Sequence, residues 1–208
     1  PDYDPKMKSE ADKIVSFLNN CGFQTVYLIG EKATSYNVVE ASDKAKLFLY
    51  MGHGYYDIYK KKPGGIYLSD GVFGPNEIYT DLHLANDAIV LMSHVCYSSG
   101  ATAGDGKPVS LLDAQNRVCS FAEPFTKKGV LFYYSNNEMG SMYTFLKNML
   151  DLNLLEAINK ESLNPVDKLV FDKKIYQYLV ISDSLNWKKN LRIVPGLKHQ
   201  MEVGLFRE

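Results

Sequence analysis

The chain has 208 residues, 46% of them hydrophobic and 23% charged, enough to build one domain with a buried core. Its 23 basic and 24 acidic residues leave a net charge of −1, which argues against a nucleic-acid binder working through bulk electrostatics. No apolar run approaches the roughly 18 residues of a membrane span. The expected unit is therefore a single domain over residues 1–208 that engages neither nucleic acid nor membrane.

In chain order, Lys6 to Cys21 reads as an amphipathic helix. Met7, Ala11, Ile14, Phe17, Leu18 and Cys21 share a face, and Gly22 supplies a left-handed end. On this reading Cys21 belongs to the core. "TVYLIG" (25–30) is apolar and β-branched and predicts a buried strand. Thr34 or Ser35 can N-cap a helix running to Ala41. "LFLYMG" (47–52) is the next strand, and the alternation of helix and strand implies a parallel sheet. A polar, aromatic insertion from Tyr55 to Lys62 follows, then a small hairpin in "GGIYLSDGVFG" (64–74). "GPNEIYTDLHLAND" predicts a short helix and a loop, and "IVLMS" (89–93) a third core strand. A glycine-rich loop occupies 100–106. Cys119 to Lys128 reads as a helix ending before Gly129, and "VLFYYS" (130–135) as a fourth strand. Ser141 or Thr144 opens a helix to about residue 159. "YQYLVIS" (176–182) is a late strand, with "LRIV" (191–194) as its candidate hairpin partner. The expected architecture is a three-layer α/β/α sandwich on a mostly parallel sheet.

In such sheets ligands gather at the carboxyl ends of the strands. Two motifs stand there. His53-Gly54 follows "LFLYMG", and Cys96 follows "IVLMS" after Ser93-His94-Val95. Parallel neighbours lie about 4.8 Å apart, so an imidazole and a thiol at their ends can address one substrate carbonyl. A thiol has a pKa near 8.5, and a nearby imidazole can take its proton and later protonate a leaving amine. Glycine beside the histidine leaves room for that carbonyl, and the Gly54 and Cys96 backbone amides can serve as oxyanion donors. The small residues after Cys96 suggest a loose loop that admits a substrate strand.

These blocks resemble the caspase-like cysteine peptidases. "LFLYMGHGYYD" is similar to their histidine block and "IVLMSHVCYSSG" to their nucleophile block. Within that group the likeness is to the CHAT-domain and gingipain-type branch. "GIYLSDGVFGPNEI" looks like that branch's "L-x-L-x-D-G" hairpin and helix, "FAEPFTKKGVLFYYSNNE" like its post-nucleophile helix and strand, and "YLVISDSLNW" like its closing segment. The likeness covers residues 8 to 187. It implies a caspase/hemoglobinase-like fold and peptide-bond hydrolysis by a Cys–His dyad, with Cys96 as nucleophile, His53 as acid/base, and a peptide or protein as substrate. The sequence departs from the pattern in His94-Val95 before the cysteine and in one extra residue in "CYSSG". Relatives often hold a substrate arginine or lysine with an acidic residue. The candidates here are Glu31, Asp57, Asp105 and Glu138, against small or aspartate side chains as the other specificities.

His94, two residues before Cys96, is a rival base or pocket residue if strand alternation carries both to one side. A metal is not expected, because His94 and Cys96 have no second pair at ligand spacing, and no cofactor motif is present. Cys119 at a helix start would have a favoured thiolate, but a buried structural thiol is the preferred reading. Three cysteines are an odd count, too few for a disulfide framework. The chain begins at Pro1 with no visible signal peptide, compatible with a piece of a longer polypeptide. Compartment and oligomeric state stay open, with cytoplasmic ahead of secreted. Two other readings remain beside the peptidase: a catalytically silent caspase-like interaction module, and a small-molecule enzyme on a flavodoxin-like sheet.

Overall fold

The computed structural model describes residues 4–100, 102, 105, 109–136, 141–151 and 178–182. It is a mixed α/β fold built on a parallel sheet. Helix α1, Pro5–Asn20, starts at Asp4, whose carboxylate accepts from the Lys6 N–H at 2.8 Å. Gly22 follows it with φ +88°, the left-handed conformation that suits glycine at a helix end. α2, Ser35–Ala41, is capped by the Thr34 hydroxyl, which accepts from the Asn37 N–H. β1 is Leu47–Met51 and β5 is Ile89–Ser93. Between them lie β2, Gly54–Asp57, β3, Lys62–Leu68, β4, Gly71–Phe73, and helix α3, Pro75–Asp81. α4, Leu111–Lys127, β6, Phe132–Asn136, α5, Met142–Asp151, and β7, Tyr178–Ser182, complete the described elements.

The main sheet has the order β1-β5-β6-β7, all neighbours parallel. β5 is central and buried along its whole length. Its side chains alternate between two cores, as the period of two requires. Val90 and Met92 pack with Ile78 and Leu82 around α3 and with Val118, Phe121 and Phe125 of α4. Ile89 and Leu91 pack with Ile14 and Leu18 of α1 and with Met142, Phe145 and Met149 of α5. The apolar run Ile89–Met92 in β5 is what a strand covered on both faces demands. Among the described residues, no helix is long and apolar enough to cross a membrane.

A second, antiparallel sheet has the order β2-β3-β4. The expected hairpin at 64–74 is present, and the preceding insertion adds a third strand to it. The hairpin turn is docked on the segment before α2. Asp70 accepts from the Ser35 N–H at 2.9 and 3.0 Å and from the Ser35 hydroxyl, while the Ser69 N–H reaches the Ala33 carbonyl at 2.9 Å.

Three expectations need correction. "TVYLIG" joins no ladder among the described residues, and Val26 is 70% exposed. The segment is held through side chains instead: Tyr27 donates to Asp12 on α1, and Leu28 packs on the core. α4 begins eight residues before Cys119, which lies in mid-helix with no claim on the helix N-terminus. Ser110 and Asp113 form a reciprocal cap, the hydroxyl accepting from the Asp113 N–H at 3.1 Å and donating to its carboxylate at 2.7 Å. Cys21, expected in the core, is exposed at the C-cap of α1. The continuation of α5 past Asp151 and the strand at 191–194 lie outside the described residues.

Candidate active site

β1 and β5 pair in register, with Met51 opposite Ser93. Their carboxyl ends therefore lie side by side, with His53 two residues beyond one and Cys96 three beyond the other. The two segments touch at Gly54. A Cβ built on it would stand 2.3 Å from the Cys96 carbonyl oxygen, 2.6 Å from the Val95 side chain and 3.2 Å from the Cys96 nitrogen. No side chain fits there without moving the backbone that carries the thiol. The backbone of the histidine motif is thus packed directly on that of the cysteine motif.

His53 is exposed, and Cys96 is half-buried. The His53 carbonyl is held from two directions: it accepts from the Tyr67 N–H at 3.0 Å, and the Tyr50 hydroxyl lies 3.1 Å away. That hydroxyl also reaches the Tyr67 carbonyl at 2.7 Å. Burial pushes the Tyr50 phenol well above its ordinary range, so it stays protonated and able to donate.

Cys96 opens a tight turn. The Ser98 N–H and hydroxyl both reach the Val95 carbonyl, at 3.2 and 2.7 Å, and the Gly100 N–H reaches Tyr97 O at 2.9 Å. The Ser98 hydroxyl also meets that of Ser135 on β6. His94 and Tyr97, on either side of the cysteine, have φ +60° and +67°. Such values are uncommon for residues with a Cβ and mark a backbone constrained by its surroundings.

This turn overturns two expectations. The residues just after Cys96 are not loose: Ser98, Ser99 and Gly100 are all buried. Strand alternation does not extend from His94 to Cys96, because β5 ends at Ser93 and the backbone reverses at His94. His94 is instead half-buried, with Nδ1 2.9 Å from the Ser93 hydroxyl.

Of the acidic candidates, Asp105 already has a cation. Arg117 Nη1 donates to its Oδ2 at 2.8 Å, both side chains being about nine-tenths buried. Removing one partner of such a pair costs about 3–5 kcal/mol, so Asp105 is a structural anion. Asp57 accepts from the Tyr59 and Lys60 N–H groups at 3.0 and 2.8 Å and closes the turn after β2. Glu31 is exposed in the 3-10 turn Gly30–Lys32. Glu138 lies outside the described residues. The structure does not gather Glu31, Asp57 and Asp105 into one acidic pocket.

Arg117 itself is the residue that sequence reasoning missed. Its guanidinium also donates to the Gly100 carbonyl at 3.2 Å and lies 5.0 and 5.8 Å from the ring centroids of Tyr97 and Tyr56. Burial holds the Tyr97 phenol above its ordinary value, aided by Asp105 and opposed by Arg117. The signal was the "SLLD" cap, which starts α4 early enough to include Arg117.

Comparison of the chain with protein-family models, with curated proteins and with solved structures finds no match.

Proposed function

We propose that the chain is a cysteine endopeptidase on a three-layer α/β/α sandwich of the caspase/hemoglobinase type. The observation that carries this reading is the seating of Gly54 on the Cys96 backbone at the paired ends of β1 and β5. It brings an imidazole-bearing and a thiol-bearing segment to one sheet edge.

In this reading His53 takes the Cys96 proton and the sulfur adds to the scissile carbonyl. The Gly54 and Cys96 amides receive the oxyanion. Collapse of the tetrahedral species expels the amine, which leaves with the proton from His53. Water then hydrolyses the thioester, releasing the acid and restoring the thiol. For cleavage after a basic residue, Glu31, exposed in the turn before α2, is the described acidic candidate for holding the substrate cation.

The test is cleavage of casein and of fluorogenic peptides ending in arginine, lysine, aspartate or a small residue. Cys96→Ala is expected to abolish cleavage and His53→Ala to lower it by about 10²-fold or more, the usual contribution of acid–base catalysis. Exposed Cys21 will take up iodoacetamide too, so labelling of Cys96 is read in a Cys21→Ser background. A wild-type protein that cleaves no substrate and leaves Cys96 unlabelled would replace this reading with that of a silent interaction module.

A further inference from the structure

The geometry points to Arg117 as a positioning residue that locks the Cys96 turn against the strand leading from His53. This rests on the peptidase reading of Cys96. Four contacts converge on one guanidinium. It bonds the Gly100 carbonyl, at the end of the turn that Cys96 opens. It pairs with Asp105, whose Oδ2 also accepts from the Thr102 N–H at 2.9 Å. It lies over Tyr97, the residue next to the thiol, and near Tyr56 on β2, two residues after Gly54. The Tyr56 and Tyr97 rings are themselves neighbours, 5.9 Å between centroids.

The arrangement uses properties that arginine has and lysine lacks. A planar guanidinium can pack on aromatic rings while its N–H groups bond in its own plane. An ammonium can keep the charge pair with Asp105 but not the ring contacts and the Gly100 bond together. Tyr97 has φ +67°, uncommon for a residue with a Cβ, so the turn it belongs to needs outside contacts to hold its shape. Arg117 supplies them from α4, an element separate from both motifs.

The test uses the full chain with Arg117→Lys, and the paired change Arg117→Met with Asp105→Leu. The paired change removes both buried charges and avoids leaving one alone. Each variant is followed by thermal melting, by peptide cleavage, and by hydrogen exchange across residues 96–100. Arg117→Lys is expected to melt close to wild type, lose at least tenfold in kcat with KM within about twofold, and exchange at least tenfold faster in 96–100 alone. The paired variant should show the same pattern. Folded variants with unchanged kcat and unchanged exchange in 96–100 would overturn the assignment, as would faster exchange spread evenly over the chain. If the wild type cleaves nothing, the peptidase reading falls separately, and the location of the exchange change still decides for or against Arg117.

Discussion

Gly54 has no space for even a methyl group, and the obstruction is backbone rather than a movable side chain. Gly54→Ala is therefore expected to push the Cys96 turn away. It should cost about 1–3 kcal/mol, as overpacking does, and lower kcat at least tenfold, read from urea unfolding and peptide cleavage. Tyr50→Phe tests the support of His53. It removes the hydroxyl beside the His53 and Tyr67 carbonyls, so a loss of about 1 kcal/mol is expected, with a lower kcat if the His53 backbone shifts. Of the proposed dyad, the residue types and their places after apolar strands were legible from the chain. The seating of Gly54 on the Cys96 backbone was not, because a close approach between residues 54 and 96 leaves no mark in local pattern beyond the glycine.

The β3–β4 hairpin and α2 are joined through Asp70. Hydrogen bonds from Ser35 hold the Asp70 carboxyl below its ordinary value, the hydroxyl contributing most. A carboxyl depressed in the folded state stabilises the fold above its unfolded pKa near 3.9, and that contribution fades as pH falls through the lower, folded value. Asp70→Asn should then lower the urea midpoint at pH 7, and the gap from wild type should narrow steadily below about pH 4. Equal gaps at pH 7 and in strong acid would rule this link out. Elements with strong local signals were legible: α1, α2, β1, β5 and the hairpin fall where capping and periodicity put them. "TVYLIG" misled because an apolar, β-branched run reports burial tendency and not whether a partner strand is at hand. The start of α4 was misplaced because the apolar pattern after Cys119 outweighed the polar cap at Ser110.

Across the molecule, β5 is shared by both cores, one face packed with α3 and α4 and the other with α1 and α5. Phe125 belongs to one core, and Phe145, stacked 4.0 Å from Tyr134, belongs to the other. Phe125→Ala and Phe145→Ala should each cost about 3–5 kcal/mol. Both variants should unfold in a single urea transition, since each core rests on the same strand. A separate early transition in either variant would mean that the two faces unfold independently. Composition, hydrophobic period and capping residues were enough to specify an α/β chain with a parallel sheet and to place a histidine and a cysteine after two of its strands. These are local properties, written in runs of five to fifteen residues. The order β1-β5-β6-β7, the seating of Gly54 on Cys96, the use of Asp105 as a partner for Arg117, and the tightness of the turn after the thiol arise from contacts between distant segments. They depend on how the crossovers stack helices on the sheet, and no local pattern encodes that choice.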